Sequence, residues 1–277
     1  MSRPYVGRGR QSGYNAFFRG FMIFTLLCVA SIAQSNSDME KPSVRIFAAA
    51  SLTDALNKAI ARYESQNEVD IVPVYASSST AARQIASGAA ADLFFSASSE
   101  WMNWLAGQGI ELDERADIVQ NRLALIAPSG REHASFTPVD GETLSSSLSG
   151  RERLSVGDPD HVPAGIYAKQ ALQSLDEWKT LQPRLARADN VRAALALVER
   201  GEVPLGIVYQ TDAQASNRVR QLGLFPSDSH DPILYPLALV NPPASGAARD
   251  FRQWLHGDEA LAIFSEVGFF PAAAVSR

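Results

Sequence analysis

The chain has 277 residues, 46% of them hydrophobic and 20% charged, the composition of a globular protein and not of a disordered or fibrous one. Its 25 basic residues are outnumbered by 30 acidic ones, for a net charge of −5, which argues against a nucleic-acid partner. One cysteine, Cys28, excludes an internal disulfide framework.

Residues 1–33 differ in character from the rest of the chain. Arg3, Arg8, Arg10 and Arg19 make a basic, acid-free stretch, Phe21 to Ala33 form an apolar run of 13 residues, and Ser31-Ile32-Ala33 supplies small residues where a signal peptidase reads. This is the pattern of a secretory signal peptide cut after Ala33. An uncleaved anchor is the weaker alternative, because the run falls short of the roughly 20 residues that span a bilayer. Cys28 follows Leu27, not a small residue, so it reads as one more apolar position and not as a lipoprotein site. Without the four arginines, 21 basic residues face 30 acidic ones, a net of −9.

After a polar leader, Val44 to Ala48 reads as a buried strand, and Leu52, Ala55, Leu56, Ala59 and Ile60 then fall at helical spacing. Ser51 sits at the junction. It either caps its own helix or turns its hydroxyl and the free N–H groups of the first turn toward a small anion. Asp70 to Tyr75 is a second strand, and Ala76-Ser77-Ser78-Ser79-Thr80 leads from it into another helix. Asp92 to Ala97 is a third strand, followed by a helix over 99–106 whose Trp101 and Trp104 read as core. Three strands alternating with helices predict a parallel sheet covered on both faces.

Asn121 to Ala127 reads as a strand stopped by Pro128, and 129–150 as loop. Leu154 to Gly157 resumes a strand, Asp158 to Gly165 is a long turn, and a helix runs from Ile166 to Leu175 with Pro163-Ala164-Gly165 at its start. Leu181 to Asp189 reads as a connector, and Asn190 caps a helix over Val191 to Arg200. Pro204 to Tyr209, Val219 to Phe225 and Ile233 to Val240 read as strands, a short helix opens at Thr211-Asp212, and Pro236 marks an edge or a crossing between lobes. Two amphipathic helices, over 247–255 and 259–267, close the pattern. No linker divides the chain, so two lobes sharing strands fit better than separate domains.

Catalytic sets are missing. His133, His161, His230 and His256 are scattered, and the sequence has no G-x-S-x-G elbow, S-x-x-K motif or P-loop. His161 beside Asp158 and Asp160 reads as turn chemistry before it reads as a catalytic fragment. What recurs instead is a neutral donor where a strand meets a helix: Ser51, the run Ser77 to Ser79, the turn at Ala164, the helix start at Val191, and Tyr209 at a strand end. In an open α/β sheet these junctions lie on one side, where ligands bind. A donor-only site suits an oxyanion that carries no proton at neutral pH and disfavours hydrogen phosphate, whose O–H would find no acceptor.

The motifs Phe47-Ala48-Ala49-Ala50-Ser51-Leu52, Ala76-Ser77-Ser78-Ser79-Thr80, Ala91-Asp92-Leu93-Phe94, the run from Gly157 to Ala168, Val191 to Glu199 and Pro204 to Tyr209, in this order, closely resemble the periplasmic molybdate-binding proteins of ABC importers. The resemblance spans residues 43–270. It implies a two-lobed α/β periplasmic-binding-protein fold of type II, each lobe a mainly parallel sheet flanked by helices, with lobe 1 at 43–124 plus 236–277 and lobe 2 at 125–235. It further implies a monomeric, non-enzymatic periplasmic protein that holds molybdate, and tungstate, for a membrane permease. The implied contacts are Ser51 and Ser78 through hydroxyl and N–H, the N–H groups of Ala164 and Val191, and the Tyr209 hydroxyl. The choice of Ser78 within its run rests on the resemblance alone, with Ser79 a partner or helix cap. No cofactor is implied, and the only metal is the molybdenum or tungsten at the centre of the oxyanion, with no protein ligand. Another oxyanion such as sulfate is the nearest rival, ahead of a secreted serine hydrolase and of a ligand-sensing module of a regulator.

Overall fold

The computed structural model describes residues 41–130 and 143–272. The signal peptide expected over 1–33, with Cys28, lies outside them, as do His133 and residues 273–277 of the tail.

The first described elements are β1 (Ser43–Ala49), a 3-10 turn (Ala50–Leu52), α1 (Thr53–Glu64), β2 (Asp70–Ala76), α2 (Ser78–Ala86), β3 (Leu93–Phe95) and α3 (Ser99–Gly107). β1 pairs in parallel with β2 on one side and β3 on the other, as alternating strands and helices require. Period-two alternation sorts their side chains. Ile46, Ala48, Leu93 and Phe95 join the core under α1, whereas Phe47 and Phe94 face the other way, onto Ala81, Ala82, Ile85, Met102 and Leu105 of α2 and α3. Each fully buried phenylalanine contributes about 1.5–3 kcal/mol by leaving water.

The next stretch differs from the single strand expected over 121–127. The chain forms β4 (Leu112–Asn121) and β5 (Leu123–Pro128), which belong to different sheets. The first half of β4 is exposed and carries Asp113, Glu114 and Arg115, and its register against a later strand shifts, so no apolar period announces it. After a 3-10 turn (Leu144–Ser147) come β6 (Leu154–Gly157), α4 (Pro163–Ser174), α5 (Trp178–Leu181) and another 3-10 turn (Gln182–Arg184). The expected connector over 181–189 therefore contains structure, including β7 (Leu185–Ala188), a strand of four residues too short to show a period.

Then follow α6 (Val191–Glu199), β8 (Leu205–Tyr209), α7 (Gln210–Gln214), β9 (Val219–Leu224), β10 (Ile233–Val240), α8 (Gly246–Leu255), α9 (Asp258–Glu266) and β11 (Phe270–Pro271). Pro236 does not mark an edge: β10 is an interior strand between β4 and β3. The missing N–H is tolerated because the register against β4 shifts between Tyr235 and Pro236, a bulge, while the Pro236 carbonyl still accepts from the Ser96 N–H at 2.9 Å.

Two sheets result, ordered β11-β4-β10-β3-β1-β2 and β7-β6-β8-β5-β9. Both are mixed. The strands that feed helices pair in parallel, and the antiparallel pairs involve β4, β5, β9, β10 and β11, which lie beside the changes from one sheet to the other. The chain leaves the six-stranded sheet at Asn121 and returns at Ile233.

Candidate functional site

β1 and β2 run parallel in the six-stranded sheet and β6, β7 and β8 in the five-stranded one, and the carboxyl end of each delivers a donor. β1 runs into the 3-10 turn carrying Ser51, β2 into α2 at Ser78, β6 through the Asp158 turn into α4 at Ala164, β7 into α6 at Val191, and β8 ends on Tyr209. All five residues line one small cavity, together with Ala49, Ala50, Ser77, Ala97, Val162 and Pro163. They are almost wholly buried. No lining residue is charged. Three larger depressions, of about 450, 610 and 250 Å³, gather none of these donors.

Local chemistry shapes each wall. Ser51 is not a helix cap: α1 starts at Thr53 behind Leu52, which makes no side-chain cap. The Ser51 hydroxyl instead lies 2.9 Å from the Tyr235 hydroxyl. Nor does Ser79 cap α2. Ser77 does so, accepting from the Thr80 N–H at 3.3 Å, while the Ser79 hydroxyl meets Ser77 Oγ at 2.9 Å and His161 Nδ1 at 3.1 Å. Ser78 is thereby left as the first residue of α2, its Oγ accepting from the Ala97 N–H at 2.8 Å.

On the opposite wall Pro163 occupies the first position of α4, so Ala164 presents one of the early N–H groups that no helical carbonyl can reach. The start of α4 can approach the end of β6 only because both facing residues are glycine: a Cβ on Gly165 would lie 2.1 Å from the Gly157 carbonyl oxygen. Asn190 caps α6 by accepting from the Ala193 N–H at 2.9 Å, leaving the Val191 N–H at the first position without an intrahelical acceptor. Helix starts from both sheets thus converge, each carrying about half a positive charge.

Tyr209 is the most telling member. Its hydroxyl is fully buried in the cavity wall and has no hydrogen-bond partner among the described residues. Such a group costs about 1–3 kcal/mol unless something else satisfies it. Burial pushes its phenol well above the ordinary value of 10, so it stays protonated and can donate.

The nearest cation is already committed. Arg192, next to Val191, pairs with Asp212 at 2.6 Å and with Asp54 at 2.6 Å. Burial pushes the Asp212 carboxyl above the usual carboxylate range, and Arg192 opposes that shift. An anion in the cavity would therefore meet neutral donors and not a free cation. His161, considered with Asp158 and Asp160, is not assembled for catalysis: Asp158 and Asp160 pair with Arg187, and His161 bridges to Ser79 and, through its carbonyl, to Trp101 Nε1 at 2.8 Å.

Sequence reasoning missed Tyr235, Asn121 and Thr211, which back the cavity. Asn121 Nδ2 lies 2.9 Å from Thr211 Oγ1 and 3.3 Å from the Tyr235 hydroxyl. A polar side chain on each strand that crosses between sheets is the signal that would have found the first two.

A family model described as bacterial extracellular solute-binding protein matches residues 44–270. The chain belongs to the bacterial extracellular solute-binding proteins. Within them it falls with the periplasmic molybdate-binding proteins that the motifs resemble. It is 44% identical over 248 residues to molybdate-binding protein ModA of Escherichia coli (strain K12), covering 89% of this chain and 96% of that one. It is 43% identical to molybdate-binding protein ModA of Haemophilus influenzae, over 89% of this chain and 96% of the relative. Among solved structures the Azotobacter vinelandii periplasmic molybdate-binding protein shares the solute-binding fold, with a TM-score of 0.69 at 24% identity over 82% of this chain and 98% of that one.

Proposed function

We propose that this solute-binding protein captures molybdate, and tungstate, in the periplasm and delivers it to the permease of an ABC importer, without catalysing a reaction. The jaws are the six-stranded sheet with its helices, which the chain leaves at Asn121 and re-enters at Ile233, and the five-stranded sheet with its helices. The anion's oxygens accept from the hydroxyls and N–H groups of Ser51 and Ser78, the N–H groups of Ala164 and Val191, and the hydroxyl of Tyr209. A hydrogen bond to a charged group is worth about 1.5–3 kcal/mol, so five such positions give tight binding without a cation. The protein acts as a monomer and needs no cofactor, the molybdenum or tungsten staying inside its oxygen shell.

One observation carries the reading: five donors from two sheets line one uncharged cavity, with the Tyr209 hydroxyl buried and unpartnered. Calorimetric titration with molybdate, tungstate, sulfate and phosphate tests it. Heat from the first two with none from phosphate is expected. No heat and no rise in melting temperature with excess molybdate would overturn it, because ligand at 100 times its Kd adds about 2.7 kcal/mol of stability. Sulfate is the second reading, since a donor-only wall suits any unprotonated dianion. Competition between sulfate and molybdate separates the two.

A further inference from the structure

A serine hydroxyl is ambiguous toward an anion, because it can donate its proton or accept another. The hydrogen bonds behind Ser51 remove that ambiguity. The Arg122 N–H donates to Asn121 Oδ1 at 2.9 Å, which identifies the amide oxygen. The other amide atom is therefore the nitrogen, and its two hydrogens face Thr211 Oγ1 at 2.9 Å and the Tyr235 hydroxyl at 3.3 Å. The Tyr235 oxygen accepts, so its single proton goes to Ser51 Oγ, 2.9 Å away. Ser51 then accepts from Tyr235, and its own proton is left for the cavity. Tyr235 is fully buried and Asn121 nearly so, which denies water a place in the chain of bonds. Ser78 is biased the same way by the Ala97 N–H, which donates to its Oγ at 2.8 Å.

We infer that Asn121 and Tyr235 are positioning residues that fix the Ser51 hydroxyl as a donor and so set the cavity against protonated oxyanions. The inference rests on the reading of the cavity as an oxyanion site. Without the relay Ser51 Oγ regains a free lone pair, and an anion bearing an O–H, such as hydrogen phosphate, finds an acceptor.

The test is a double-mutant cycle on the full chain: wild type, Tyr235→Phe, Ser51→Ala and the double variant, titrated with molybdate and challenged with millimolar phosphate. Tyr235→Phe removes one oxygen and keeps the ring against Phe269 and Tyr209, at centroid distances of 5.3 and 6.1 Å. It is expected to weaken molybdate about fivefold and to let phosphate compete at lower concentration. In the Ser51→Ala background the same change is expected to alter neither readout, because Tyr235 acts through Ser51. Should the Tyr235 variants not fold, Asn121→Ala, which frees the Tyr235 proton to turn away, takes their place in the same cycle. An equal loss in both backgrounds, or unchanged phosphate competition, overturns the inference while leaving the oxyanion site standing. A wild-type chain that binds no oxyanion overturns both.

Discussion

Tyr209→Phe separates binding from folding because its two readouts are expected to differ. The hydroxyl is buried and makes no hydrogen bond among the described residues, so deleting it breaks no hydrogen bond there. The ligand-free variant should unfold at the wild-type temperature or above it, gaining up to the roughly 1–3 kcal/mol that an unsatisfied buried hydroxyl costs. With molybdate the same deletion removes a hydrogen bond to a charged oxygen, worth about 1.5–3 kcal/mol, which raises Kd roughly 12- to 160-fold. At a ligand concentration 100 times the wild-type Kd, stabilisation then falls from about 2.7 to about 0.3–1.3 kcal/mol. For a chain of this size, 1 kcal/mol moves the melting temperature by about 2–4 °C. The ligand-induced shift should therefore drop from about 5–11 °C to below about 5 °C. Thermal unfolding with and without molybdate, checked by calorimetry, reads both effects. A ligand-free variant that melts well below wild type, or an undiminished shift with molybdate, would refute the argument.

Other substitutions probe the walls and the electrostatics. Ser78→Ala should weaken binding at least tenfold and also cost about 1–3 kcal/mol of ligand-free stability, because the Ala97 N–H loses its acceptor; equal melting temperatures would contradict this. Arg192→Met should destabilise the fold by about 3–5 kcal/mol by leaving the buried Asp212 unpaired; lost affinity at unchanged stability would instead make Arg192 an anion ligand. Burial raises the Tyr209 and Tyr235 phenols above their unfolded value of 10. The folded chain then holds protons that the unfolded chain releases, so their contribution is intact below about pH 10 and lost as pH rises beyond it. Melting temperature followed from pH 8 to 11 should fall less steeply in Tyr209→Phe than in wild type.

Apart from β7, the parallel half of each sheet was legible because strand and helix periods alternate cleanly there, and the site lies at those alternations. Ser51, Ala164, Val191 and Tyr209 could be picked out as junction residues without knowing how the sheets pack. The sequence did not distinguish capping from pointing inward, since Ser51 and Ser79 are as suited to capping as Ser77, which caps α2. That choice depends on Tyr235 and His161, residues 184 and 82 positions away. Three strands were harder to read, the parallel β7 and the antiparallel β4 and β10. β4 carries charges on an exposed half, β7 has four residues, and β10 hides an interior position behind Pro236. In each, pairing with a distant strand overrides the local pattern.

In the proposed function, the division of donors between the sheets couples binding to closure. Ser51 and Ser78 stand on elements of the six-stranded sheet, and Ala164, Val191 and Tyr209 on those of the five-stranded one, so neither half alone surrounds an anion. The contacts that bridge the halves beside the cavity include Ser79 to His161, Trp101 to the His161 carbonyl, Asn121 to Thr211, and Arg192 to Asp54. A neutral hydrogen bond contributes about 0.5–1.5 kcal/mol. Each such bond holds the two halves together only weakly. An anion held as proposed would supply several charge-assisted bonds across the gap and outweigh them, so that its differential affinity for the arrangement with both walls present would favour closure. Keeping Arg192 neutralised by Asp54 and Asp212 serves the same end. A free cation on one wall would attract an anion to that half alone, whereas neutral donors stabilise it fully only when both walls are present.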